Sequence, residues 1–284
     1  MKIVHMIHDY RKLCANCHEV GNFEAYKKYT LTYKSFFDAV FKYLYCTPAD
    51  TLCEYIEGMN FDRFLQQAES NYDQGICDYI IAAAQKTAEQ MKVRFEFELL
   101  LGMELSNISG CSVPREDHVP YLYIGIDRSL TKEFIDIFVP HEMYHMVRCH
   151  LGSQASVETL LSRAVEEGLA SFVPMWMNNM EWNTDSVSKV LSVQPQQAAY
   201  LLTHTDQIVE SVLKHGDEPL TSQVMQDFFS VTDANAQLAL PGYYVGLYLT
   251  HLAVKNGVDF NQFSSMPGND VIALLLKCDK IRKQ

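Results

Sequence analysis

"FVPHEMYHMVRCH", Phe138 to His150, places His141 and His145 four residues apart, with Glu142 between them and a proline directly in front. On an α-helix residues i and i+4 share a face, so both imidazoles can reach one ion. Glu142 lies about 100° around the axis from His141, off the ligand line but within reach of a water on that ion. Hydrolysis at a metal needs this division of labour: neutral nitrogens to hold the ion, a carboxylate to take a proton, and an open position. Thr131 is a suitable N-cap for a helix carrying the stretch. Inside such a helix Pro140 cannot donate to the carbonyl of Asp136, and its ring crowds that turn. A kink, a break or a fresh helix start is therefore expected just before His141.

Working outward, the periodicity changes on either side of this stretch. In "KVRFEFELLL" Val93, Phe95, Phe97 and Leu99 alternate with Arg94, Glu96 and Glu98, which predicts a half-buried strand. After a loop containing Gly110, Pro114 and Pro120, "YLYIGID" from Tyr121 predicts a second strand, and a candidate edge for pairing with an extended peptide. From about Asn22 to Met91 the pattern is helical, with aromatic residues at three- and four-residue spacing in "YKKYTLTYKSFFDAVFKYLY" and a break at Thr47-Pro48. Beyond the histidines, "VETLLSRAVEEGLASFV", "QQAAYLLTHTDQIVESVLKHG", "TSQVMQDFF", "YYVGLYLTHLAVKNG" and "DVIALLLKC" all read as helical. The expected class is α+β, a small sheet followed by a mainly helical lobe, preceded by an N-terminal helical region. Residues 1–91 form that region and 92–284 the metal-binding part, either packed together or continuous.

A third protein ligand has to come from elsewhere. One route needs a glycine three residues after His145 and a histidine three further on, but those positions hold Arg148 and Leu151. His150 points to a different face and reads as an ordinary surface or core histidine. The other route is a glutamate on a later helix, and "AVEEGLASF" offers Glu166 and Glu167. Leu161, Ala164, Val165, Gly168 and Phe172 define the buried side of that helix. Glu167 lies nearer its edge than Glu166, and Gly168 permits close helix approach. Glu167 is the favoured ligand; Glu166 is either solvated or a partner of a histidine N–H.

A hydrogen-bond donor for a developing oxyanion is the remaining chemical part. "PGYYVGLYLTH" offers Tyr243, Tyr244, Tyr248 and His251, with core packing as the alternative role. Arg148 reads as an ion-pair partner of an acid behind the site, or as a contact for a substrate carboxylate. "CANCH", Cys14 to His18, has the form of a c-type haem attachment site, but its flanks are helical and nothing signals export, so it reads as coincidence.

Composition narrows the partners. With 35 acidic against 23 basic residues and a net charge of −12, nucleic acid and anionic membrane surfaces are disfavoured, and neutral or basic peptides are compatible. No apolar run approaches the roughly 18 residues of a membrane span, and no signal-peptide core is visible, so a cytoplasmic location is the default. The eight scattered cysteines fit reduced, buried thiols better than a disulfide framework.

In order along the chain, "HEMYHMVR", "EEGLASF" and "PGYYVGLYL" resemble the YjaZ-like predicted zinc-dependent proteases, a domain of unknown function similar to the gluzincin branch of zinc peptidases. The resemblance runs from about Tyr121 to the C-terminus. It implies a zincin fold like the catalytic region of thermolysin, a Zn2+ ion on His141, His145 and Glu167, Glu142 as general base, and peptide or protein substrates. "EEGLASF" is also similar to the Asn-Glu-Gly-Phe-Ala-Ser stretch of gluzincin aminopeptidases, where the glutamate before glycine is the ligand. The family's Gly-Tyr-x-x-Gly segment selects Tyr243, ahead of Tyr244, as oxyanion donor. Two departures stand out. Ser171 occupies the position of an aspartate in thermolysin-type enzymes, and "GMELSN" (Gly102 to Asn107) only echoes the aminopeptidase Gly-x-Met-Glu-Asn motif, so exopeptidase activity is not implied. The expected function is a zinc metallopeptidase; the alternative is a non-catalytic binding or regulatory protein on the same scaffold with retained zinc.

Overall fold

The alternation over Val93–Leu99 becomes a strand only from Glu98. The computed structural model describes residues 1–42, 48–103, 110–113, 119–155, 158–231 and 238–282. Its four strands are β1 (Lys2–His5), β2 (Glu98–Gly102), β3 (Gly110–Val113) and β4 (Tyr121–Gly125), in the order β1-β2-β4-β3. β1, β2 and β4 are parallel, and β3 runs antiparallel to β4. Val93 to Phe97 keep their alternating exposure without belonging to a strand. β4 and all of β2 after Glu98 are buried, as expected of parallel strands covered on both faces. Flanked by β2 and β4's other neighbour β3, the Tyr121 strand has no free edge, so it cannot be the peptide-pairing edge; among the described residues the edges are β1 and β3.

Helices with a small mixed sheet make an α+β protein, in two compact units, Met1–His150 and Leu151–Gln284. The first holds the sheet with α1 (Ile7–Val20), α2 (Asn22–Thr32), α3 (Lys34–Val40), α4 (Cys53–Glu57), α5 (Phe61–Asp73), α6 (Ile76–Gln90) and α7 (Lys132–His150). The helices up to Gln90 thus share a unit with the sheet, where the sequence suggests a division at 91/92; the pairing of β1 with β2 joins them. The aromatic run becomes core: Phe36 of α3 stacks on Tyr123 of β4 at 4.9 Å and meets Tyr121 edge-on at 5.3 Å. Burial pushes the Tyr29 phenol well up, keeping it neutral.

"CANCH" lies on α1. The Cys14 thiol donates to the Phe61 carbonyl, and burial raises Cys14 to about 12 and Cys17 to about 11. Neither is a thiolate at neutral pH, and all described cysteines are free. Thr47, Pro114 and the Glu104–Asn107 part of "GMELSN" lie outside the described residues.

The second unit contains α8 (Leu160–Met177), α9 (Thr184–Leu191), α10 (Pro195–Thr203), α11 (Thr205–Lys214), α12 (Ser222–Phe229), α13 (Pro241–Lys255) and α14 (Gly268–Arg282). The expected long helix over "QQAAYLLTHTDQIVESVLKHG" is two, divided at His204. Thr159 and Ser162 form a reciprocal capping box that starts α8. α8 and α13 touch backbone to backbone. A Cβ on Gly246 would stand 1.7 Å from the Ala164 carbonyl oxygen, and one on Gly168 2.0 Å from the Gly246 carbonyl carbon. Gly242 is confined too, by the Phe229 ring at 2.6 Å. The glycines of "PGYYVG" are there for packing. No helix among the described residues is long and apolar enough to cross a membrane.

Candidate metal site

Thr131 caps α7 as expected, its Oγ1 accepting from the Phe134 N–H at 3.1 Å. Neither a break nor a fresh helix start precedes His141, since α7 is continuous through Pro140. One missing donor is a local loss, and the burial of Val139, Pro140 and Met143 offsets it. On this helix Phe134, Asp136, Ile137, Phe138, His141, Glu142, His145 and Cys149 are half-buried, Lys132, Glu133 and His150 are exposed, and Val139, Met143, Tyr144, Met146, Val147 and Arg148 are buried. Between Val139 and Arg148 the chemistry-bearing residues are thus the only positions that are not buried.

The Nε2 atoms of His141 and His145 are 3.2 Å apart, with their rings at 76°. Together with Glu167 of α8 they form a group whose ligand atoms all lie within 4.8 Å of one another, and this group could hold a metal ion. Neutral imidazoles suit such a role because one ring nitrogen of each is a lone-pair donor. Glu167 is 7 % exposed, and its Oε1 accepts from the Arg163 guanidinium at 3.3 Å. The sequence reading did not single out Arg163. Its i, i+4 spacing to Glu167 is the signal that finds it.

Glu142 is outside this group. Its charge, after burial, is the second cause that raises the pKa of Cys111 on β3, which locates the carboxylate near that strand. Phe138, one turn earlier, lies against the same strand, where a Cβ on Gly110 would stand 2.8 Å from its ring. Only the strand pairing brings Cys111 here, so the sequence carries no local sign of it.

The other expected site residues divide. Glu166 is buried (9 % exposed), which removes the solvated alternative. Arg148 is fully buried (0 % exposed) and held in the interior of its unit. His150 is outside the ligand group and stacks on Phe95 at 3.9 Å. On α13, Tyr243 is half-buried with its ring edge-on to Phe229, whereas Tyr244 is buried and its hydroxyl meets Thr205 Oγ1 at 2.5 Å. Burial raises the Tyr244 phenol to about 12. His251 stacks on Trp182 at 4.3 Å, and burial lowers it to about 4.

Comparison of the chain with protein-family models, with curated proteins and with solved structures gives no match.

Proposed function

We propose that this chain is a zinc metallopeptidase of the gluzincin type, hydrolysing peptide bonds in peptide or protein substrates, with Zn2+ on His141, His145 and Glu167. The group of three donors beside Glu142 carries this reading. The histidine spacing suits the ion: two donors about 2.05 Å from a tetrahedral zinc stand about 3.3 Å apart, and the two imidazole nitrogens are 3.2 Å apart. Two nitrogens and one carboxylate match the donor set of hydrolytic zinc, whereas structural zinc is closed by four protein ligands. A zincin scaffold and kinship with the YjaZ-like proteases belong to the same proposal, supported by the motif order.

When bound, zinc supplies Lewis acidity toward a water and toward the substrate carbonyl. Glu142 takes a proton from the attacking water and passes it to the leaving nitrogen. Tyr243 donates a hydrogen bond to the carbonyl oxygen as it becomes negative. Tyr244 suits this less well, because its hydroxyl is engaged with Thr205. An extended substrate would pair with the outer edge of β3, near Glu142.

Metal analysis combined with a peptide-library cleavage profile tests the proposal. Wild type should contain one zinc per chain and cleave. Glu142→Gln should keep the zinc and lose about 10²–10⁴-fold in turnover, the usual worth of a general base. Wild type without stoichiometric metal, or Glu142→Gln cleaving at the wild-type rate, would falsify it. Stoichiometric zinc with no cleavage anywhere in the library would instead favour the binding or regulatory alternative.

A further inference from the structure

A cavity of about 580 Å³ opens between α5 and the turn after β4, within the first unit. Its size is that of a small-molecule site. α5 presents Arg63, Gln66, Gln67 and Ser70 to it from one helical face, and the turn adds Arg128 and Ser129. Phe64 adds an apolar face, and apart from Asp127 the remaining groups on these two elements are guanidinium, amide and hydroxyl donors. In a chain with 35 acidic and 23 basic residues, two guanidiniums on one cavity make a local exception to the overall charge.

Asp127, the acid on its wall, is 4 % exposed, and its Oδ2 accepts the Tyr10 hydroxyl at 3.2 Å, which leaves two guanidiniums against one carboxylate on the lining. The turn side of the wall is also fixed in advance. Asn71 of α5 donates to the carbonyls of Ile126 at 2.7 Å and Arg128 at 2.8 Å, tying the turn to the helix. The Arg128 guanidinium lies over the Phe134 ring at 5.0 Å, which holds its plane. A site that is already built loses less affinity to ordering on binding.

We propose that this cavity is a second binding site, for a small organic molecule carrying a carboxylate or phosphate. Arg63 and Arg128 grip the oxyanion through their planar forks, and the amides and hydroxyls bond the remainder. The site does not depend on the peptidase reading, because it uses none of the metal group.

The test is titration calorimetry on the full chain with inorganic phosphate, phenyl phosphate and glutarate, each up to about 10 mM, which fills even millimolar sites. Sodium chloride at matched ionic strength is the control. Wild type should bind at least one probe saturably. Arg63→Gln, an exposed change on α5, should weaken it about tenfold or more, as expected for a charge-assisted contact. Far-UV circular dichroism confirms that the variant is folded. His145→Ala should bind as wild type does, which separates this cavity from anion capture at the metal group. Phosphate and glutarate arms distinguish the two oxyanion classes. Absence of saturable binding by any probe, equal binding by Arg63→Gln, or loss in His145→Ala alone overturns the proposal.

Discussion

α7 and α8 both contribute to the metal group, yet they are built in opposite ways. Between Val139 and Arg148 α7 is buried except at His141, Glu142 and His145. α8 is buried at every position from Leu160 to Met175 except Arg163, so Glu167 is a charged group inside a fully packed helix. The first arrangement exposes chemistry on a surface that folding scarcely uses. In the second, the ligand position is also a packing position, and the adjacent Gly168 lies against the backbone of α13. The two histidines and the glutamate should therefore differ in what their removal does to folding, even if each is needed for metal.

The sharpest way to break this contrast is to fill the contact that buries α8. Gly246→Ala would place a methyl 1.7 Å from the Ala164 oxygen, and Gly168→Ala one 2.0 Å from the Gly246 carbon. Backbone cannot yield as a flexible side chain does, so each should cost more than about 4 kcal/mol or abolish soluble expression. A wild-type urea midpoint for Gly246→Ala would show that the helices do not meet this closely.

The ligand contrast comes next. In metal-free protein, Glu167→Ala should destabilise by about 1–2 kcal/mol, through a cavity and a lost partner for Arg163. His145→Ala should stay within about 0.5 kcal/mol. Urea unfolding in the presence of a chelator measures both, and equal costs would erase the distinction. With metal restored, neither variant should retain stoichiometric ion.

The smallest effect lies in the pH dependence of the second unit. His251 on α13 packs near Phe172 of α8, and burial lowers its pKa from 6.5 to about 4. Above pH 6.5 it is neutral in both the folded and unfolded states. As pH falls from about 6.5 to about 4, the unfolded chain takes up a proton that the folded chain does not, so stability is lost across that window. Allowing for its partial exposure, the loss is on the order of 1 kcal/mol. Thermal melts of His251→Phe should show a flatter decline over the same range; an unchanged slope counts against this assignment.

What could be read from the sequence follows the range of each interaction. His141, Glu142 and His145 are legible because the helical repeat alone brings them together. Glu167 is legible because Gly168 and the apolar residues around it mark the buried side of α8. β1 and β3 are not legible: each has only four residues, and their partners are set by pairing rather than pattern. The alternation before Glu98 reports exposure correctly but not strand pairing, so the strand begins later than it suggests. β4 reads as a strand, but its interior position depends on β3, which a Gly/Pro-containing stretch hides.

β1 also bears on how the molecule is made. Lys2 is paired with Glu98, 96 residues further on, and α1 to α6 are built in between. On the ribosome, where the chain emerges N-terminal end first, "KIVH" leaves the exit tunnel long before its ladder partner has been synthesised. Closing so long a connection is a slow, non-local step. The helices can form as they emerge, but the parallel part of the sheet cannot be assembled from its first strand onward. A nascent chain halted anywhere before Glu98 holds its opening strand without a ladder, and the order of synthesis is the reverse of the order in which this edge is completed.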